Sequence, residues 1–544
     1  MKLVIHDLFI DPPLAIARLG GSSIPQDPYT WADPVKPRMG ESTSIVPVWS
    51  LMVQSDGTVE PVMPSQITFR DAGLIRPVCP FFEIWARVGA PGSSPKNWRE
   101  RPLTPSLLAD CGASLADLSI TVDAKNGKVA RRTGNPNLKF GTFPPVVIRA
   151  DVHAPVAILA SSPNGVAQPM IPSDRHIPMG FVQVTQSRPP LEKSDPRAAV
   201  IDVERIRFRF TPARGLIYGV PQAAHESTTP RGRRATPVVK AQAFLNPLAG
   251  WAGAAVNELV QPDDTYDGAD VNSDLSLGVV DDTCEARFEV NLRVPGGKSS
   301  ALLTASAHAF VGPPDFAPDR RPFLSLADEL NDRGSGSAAR TKDLGAAEKD
   351  AWIQDLFERV FETASLFNVD MYRQQRAATL TGQELRRKPL PGDRVRSPSR
   401  AMGGRDALRN ADVQPPLTAP NLSRPLPLSE RAVGRHRELS DLSRLRDFIE
   451  ENPGRIERLV RAPFDLHPGE DFDFSTMRMP PFMRNSNAEP LTLSAWQYGL
   501  LMSWVKEQSG TSAQKRPQTA LRTAALKRRG EVLARVRRVA PRKS

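Results

Sequence analysis

Cysteine is nearly absent from this 544-residue chain: Cys79, Cys111 and Cys284 are the three it has. That number is odd and too small for a disulfide framework, and no Cys-x-x-Cys pair exists for zinc or thiol exchange. A reducing, cytoplasmic setting is the expectation. Long apolar runs are missing as well. No stretch of about 18 apolar residues occurs, so no membrane-spanning helix is expected. The opening MKLVIHDLFIDPP lacks the apolar core and the small-residue cleavage site of a secretion signal. Aromatic residues make up 6% of the chain, and none follows Trp504.

The common catalytic signatures are also missing. The seven histidines (His6, His153, His176, His225, His308, His436, His467) form no HExxH, which argues against a zinc protease. Neither G-x-S-x-G nor G-x-G-x-x-G occurs. Gly297-Lys298-Ser299 imitates the end of a phosphate loop, but Leu292 stands where that loop needs its first glycine. The segment reads as a Pro-Gly-Gly turn after a strand. These patterns assign no catalytic residue, no cofactor-binding residue and no metal ligand.

Proline is abundant. At 53 of 544 residues it has about twice its ordinary share, which favours short strands and loops over long helices. Hydrophobic residues at 40% and charged residues at 24% describe an ordinary globular chain, long enough for two or three domains. The net charge of +11 is not spread evenly. Eleven of the 71 basic residues and one of the 60 acids lie between Lys515 and Lys543, leaving 60 bases against 59 acids elsewhere. The body is neutral and residues 509–544 are a basic tail. It reads as a solvated arm, and without aromatic residues for base stacking nucleic acid is not the expected partner.

The pattern predicts an α+β protein: a β-rich, sandwich-like, multi-sheet body over 1–333, then a smaller, loop-rich helical region. Val78–Val88, Leu118–Asp123, Val146–Val152, Ile201–Phe210 and Ala286–Val294 are β-branched and aromatic runs of strand length. In Ile201–Phe210 the apolar Ile201, Val203, Ile206, Phe208 and Phe210 are mostly at spacing two, which predicts a half-buried strand with one solvated face. Asn126-Gly127 is a hairpin signal. Residues 334–347, opening on GSGSAA, read as a linker.

Over 348–508 helical spacing takes over. Trp352, Leu356, Val360 and Phe361 predict a helix over Glu348–Phe367 packed on the body. Leu439–Glu450 and Arg455–Arg461 are shorter helical patches. Residues 383–430 form a Pro/Arg-rich excursion. Ser494 and Gln497 have capping-box spacing at the start of a last helix. Its Trp496, Leu500 and Trp504 share one face and are expected to be core.

The acidic cluster Asp263–Asp282 is the one segment with metal-like spacing. Asp270, Asn272, Asp274 and Asp281 fit calcium-loop positions, yet Leu275 replaces the turn glycine and the last ligand is Asp instead of Glu. A solvated acidic loop is the expectation. The carboxylates beside Cys284 disfavour its thiolate, so a reactive nucleophile is not expected there.

Several blocks remain. Ile10–Ser22 (IDPPLAIARLGGS), Ala309–Arg333 (AFVGPPDFAPDRRPFLSLADELNDR) and Arg478–Val505 (RMPPFMRNSNAEPLTLSAWQYGLLMSWV) resemble, in order, the L-lysine ε-oxidase and glycine oxidase family of cysteine tryptophylquinone proteins. Leu74–Val88, Ile120–Arg132 and Tyr266–Ala286 add to the resemblance across residues 1 to about 508. It implies oxidative deamination of an amino acid to give peroxide and ammonia, with a self-derived quinone as electron sink and a flavoprotein maturation partner. In the family the quinone-forming Cys and Trp lie beyond the third block; here Lys506–Ser544 holds neither. The expectation is a truncated or degenerate member, inactive as it stands. The alternative is a non-catalytic binding or scaffold protein with a basic C-terminal arm. It would engage partners through proline-rich segments such as Lys388–Pro391 and Pro415–Pro427.

Overall fold

A computed structural model describes residues 3–32, 44–126, 144–221 (163, 166, 167, 193 and 200 excepted), 238–246, 279–295, 301–314, 344–365 and 493–509. It adds scattered positions between 318 and 332 and between 446 and 463. In chain order the strands of the body are β1 (Val4–Asp11), β2 (Leu14–Arg18), β3 (Phe81–Gly89), β4 (Arg99–Pro102) and β5 (Leu118–Lys125). They continue with β6 (Val146–Arg149), β7 (Val156–Ala160), β8 (Ile177–Val184) and β9 (Arg207–Pro212). The last are β10 (Ile217–Gly219), β11 (Val279–Asp281), β12 (Glu285–Val294) and β13 (Ala301–Gly312).

The strands form two main sheets. The first has the order β1-β3-β9-β8-β7, with β4 also paired to β3; the second has the order β6-β5-β12-β13-β2. A separate ladder joins β10 to β11. Alternation sets the facing sides. Ile120, Val122, Phe288, Val290 and Leu292 from the second sheet are buried with Phe82, Ile84, Val182, Phe208 and Phe210 from the first. At the centre the Phe288 ring lies 4.9 Å from Phe82, 5.1 Å from Phe208 and 5.7 Å from Phe210. These four rings are fully buried between the two sheets.

Four of the five strand expectations hold, with β3 beginning later than read, at Phe81. Ile201–Phe210 departs from expectation. Strand β9 begins only at Arg207, and the face read as solvated is closed over. Arg205 and Arg207 are 7% and 5% exposed. The cause is Glu83 on the adjacent strand β3, whose two carboxylate oxygens accept from Arg205 at 2.7 Å and Arg207 at 2.8 Å. Strand β5 runs to Lys125, and Gly127 of the hairpin signal lies outside the described residues, as do 334–343, 383–430 and 510–544.

Three helices matter below: α1 (Pro105–Asp110), α2 (Ala346–Ser365) and α3 (Ala495–Ser509). Helices α2 and α3 form a second hydrophobic cluster with Ile449, Ile456, Val460 and Leu493. The face of α2 carrying Ile353, Leu356, Phe357 and Val360 is buried in that cluster, not among the sheets as expected. Trp352 meets Trp496 edge-on at 5.0 Å. Trp496, Leu500 and Trp504 are core, as their spacing predicts. The protein is thus β-rich with a smaller helical region. No helix among the described residues is long and apolar enough to cross a membrane.

Candidate functional site

Blocks far apart in sequence meet along one seam. Strand β2, from the first resemblance block, lies parallel to the end of β13, with Leu14 opposite His308 and Arg18 opposite Gly312. On its other side the Arg18 N–H donates to the Val78 carbonyl at 3.3 Å, and the Val78 N–H returns a bond to Arg18 at 3.1 Å. Gly20 permits the close approach that follows: a Cβ there would sit 2.5 Å from the Pro77 nitrogen. The chain turns into β2 through Pro12 and Pro13, the Asp11–Pro12 bond being cis.

Asp332, at the end of the second long resemblance block, meets the helical region. Its carboxylate accepts from the Ala495 N–H at 2.5 Å and from the Trp496 N–H at 2.8 Å, at the N-terminus of α3. Free N–H groups and the helix dipole favour an acid at that place. Ser494 completes the cap: its Oγ accepts from the Gln497 N–H at 3.1 Å while Gln497 Oε1 accepts from the Ser494 N–H at 3.0 Å. Inside the helical cluster, Asp350 is 2% exposed. Its Oδ1 accepts from Trp504 Nε1 at 2.7 Å and pairs with Arg446 at 2.8 Å.

A second polar cluster lies where the β10–β11 ladder joins the sandwich. Asp282 is 1% exposed. Its Oδ2 accepts from the Leu216 N–H at 2.9 Å, and its Oδ1 is buried with no partner among the described residues. Burial pushes the carboxyl up to about 6, against the Leu216 bond and with help from the neighbouring Asp281 charge. Burial, then the Asp282 charge, raises the Tyr218 phenol. Cys284 donates to the Met179 carbonyl at 3.4 Å, and burial, then Asp282 and Glu285, pushes its thiol up to about 12. Burial, ahead of the carboxylates, is thus the larger cause that disfavours the Cys284 thiolate. With so little exposure, the Asp282 carboxyl is shielded from solvent within this cluster.

Of the calcium-spaced residues, Asp281 is described. Its Oδ1 accepts from Thr283 Oγ1 at 2.6 Å, the geometry of a capped turn. Asp270, Asn272 and Asp274 lie outside the described residues, as does Gly297-Lys298-Ser299. Among the described residues no group of three His, Cys, Asp or Glu side chains is placed to hold a metal ion.

The outer face of the first sheet carries the polar residues that sequence reasoning missed. Burial would raise the Glu83 pKa, but the Arg207 and Arg205 charges outweigh it and hold the carboxyl below its ordinary value. Arg205 also stacks over Trp85, 5.3 Å from the ring centre. One strand along, Gln183 Nε2 donates to the carbonyls of Gln54 at 2.9 Å, His153 at 3.0 Å and Ser55 at 3.2 Å, pinning two loops to β8. Arginines recurring at spacing two between apolar residues, with a lone Glu inside an aromatic strand, were the available signal.

The sulfurs and the indoles are engaged separately. Cys79 Sγ donates to Pro77 at 3.9 Å, and Cys111 caps the end of α1. Trp85 stacks with Phe9, Trp98 with His6, and Trp31 meets Tyr29. Comparison with protein-family models, with curated proteins and with solved structures finds no match.

Proposed function

We propose that residues 1–544 form the β-rich body of a tryptophylquinone-type amino-acid oxidase and that the three thiols among them do not form its quinone. The observation that carries the reading is the seam. Ile10–Ser22, Leu74–Val88 and the start of Ala309–Arg333 are the blocks of the resemblance, and they are neighbours in space through β2, Val78 and β13. Asp332, at the end of the second long block, caps the helix of the third. Blocks separated by hundreds of residues thus behave as one framework.

The residues present do not fit the quinone itself. Lys506–Ser544 supplies neither Cys nor Trp, and the thiols of Cys79 and Cys284 are raised by burial, away from the thiolate form. No catalytic step is therefore derived through that group. A flavoprotein partner and a cytoplasmic setting belong to this reading; three free thiols fit a reducing compartment.

The test is co-expression of this sequence with a flavoprotein of the family. The expected result is a complex of the two, no redox-cycling stain on the denatured chain, an unmodified intact mass, and no peroxide from lysine or glycine. A quinone stain with a mass change for cross-linking and oxygen insertion would overturn the reading of the thiols. Failure of the two proteins to associate would remove the family reading.

A further inference from the structure

Several well-seated arginines among the described residues have acids beside them. Arg76 pairs with Asp27 at 2.8 Å, Arg205 and Arg207 with Glu83, Arg321 with Asp355 at 2.7 Å, and Arg446 with Asp350. Arg209, on β9 between Phe81 of β3 and Gln183 of β8, has none among the described residues. Its Nη2 donates to the neutral Gln183 Oε1 at 3.3 Å, a long bond. Its Nε is buried without a partner.

A guanidinium taken out of water without a counter-ion destabilises a fold. Burial accordingly lowers the Arg209 pKa, and the single opposing charge close enough to act on it is that of Cys79. That thiol does not serve as the counter-ion: burial pushes it up to about 11, so it is neutral at ordinary pH. Gln183 does not serve either, since its amide is uncharged and its nitrogen is committed to three carbonyls. Thr211, two residues along the same strand face, adds a hydroxyl beside the Cys79 sulfur. Arg209 as a whole residue is half-buried, while its Nε is sealed from solvent.

We propose that Arg209, with Thr211 beside it, is a binding site for a small oxyanion, a carboxylate or a phosphate. The planar fork of donors on a guanidinium matches two oxygens of either group, and a desolvated position strengthens the pairing. The site lies on the outer face of the first sheet, where Cys79 follows the seam residue Val78, and the proposal does not depend on the family reading.

The experiment is thermal unfolding of the full chain in chloride buffer at fixed ionic strength, with inorganic phosphate or with acetate added at about ten millimolar. The midpoint of the sandwich transition should rise by roughly 2–4 °C with at least one of them. A larger response to phosphate identifies a phosphate-type site; a larger response to acetate identifies a carboxylate site. Arg209→Gln should abolish the rise and, without anion, unfold at or above the parent's midpoint, because it removes an uncompensated charge. Arg209→Lys keeps the charge without the fork and should lose most of the rise, so the proposal stays testable if the glutamine variant fails to fold. Arg149→Gln, at an exposed pair with Asp151, should leave the rise intact. An equal rise in parent and Arg209 variants, or no rise with either anion, would overturn the site.

Discussion

The sandwich and the helical cluster are held by different forces. In the sandwich four phenylalanine rings from three strands pack against one another between the sheets, and buried polar residues such as Arg205, Arg207 and Gln183 lie on the outer face of one sheet. In the helical cluster a few large side chains gather around buried charge: Asp350 fastens Trp504 and Arg446, and Asp328, 5% exposed, lies 3.7 Å from Arg359. A large core tolerates loss of one polar bond and suffers from loss of volume; a small one depends on single fasteners. The difference teaches where each region is vulnerable.

The strongest way to break the comparison is volume. Phe288→Ala should destabilise the sandwich by about 4 kcal/mol, read from the denaturant midpoint, because its ring touches all three others. A loss below about 1 kcal/mol would mean the rings are not packed as described. Next is charge in the helical cluster. Asp350→Asn leaves Arg446 buried without its acid and should cost about 3 kcal/mol, with a change in Trp504 fluorescence. If it costs less than a surface substitution, the fastener reading fails.

The third prediction moves buried charge into the sandwich's own border. Asp282 has a folded pKa of about 6, above the unfolded value of 3.8. The folded state then binds more protons than the unfolded state between those values, so stability is fullest below about pH 4 and falls as pH rises through about 6. The loss should be roughly 3 kcal/mol at neutral pH. Asp282→Asn should flatten that part of the profile; an unchanged slope would assign it to another group. The smallest effect is the cap. Ser494→Ala should cost about 1 kcal/mol and act on the helical transition alone.

Local signals were legible in the sequence. The Ser494–Gln497 cap and the Trp496–Leu500–Trp504 stripe follow from spacing inside one element, and both are found as read. Signals that depend on a partner far along the chain were not. Arg205 and Arg207 looked solvated because their sequence neighbours Asp202 and Glu204 suggest a surface stretch; Glu83, which closes over them, is more than a hundred residues away. Asp332 looked like any loop acid until α3 was placed against it. Of the candidate site, alternation could place Gln183 and Arg209 on a strand face, but the charge balance around them exists only once three strands lie side by side.

The parallel pairing of β2 with β13 has a consequence for how the protein is made. Leu14–Arg18 leaves the ribosome almost three hundred residues before His308–Gly312 exists to pair with it. At translation rates of roughly 5–20 residues per second, that is a wait on the order of 15–60 seconds. During it β1 can join β3, some eighty residues on, while the apolar edge around Ala15 and Ala17 stays open. An open strand edge invites pairing with other nascent chains. Yield in a living cell should therefore depend on chaperones that hold emerging chains, and slowed growth temperature should help more than added osmolyte. The second sheet is complete only once β13 has been made.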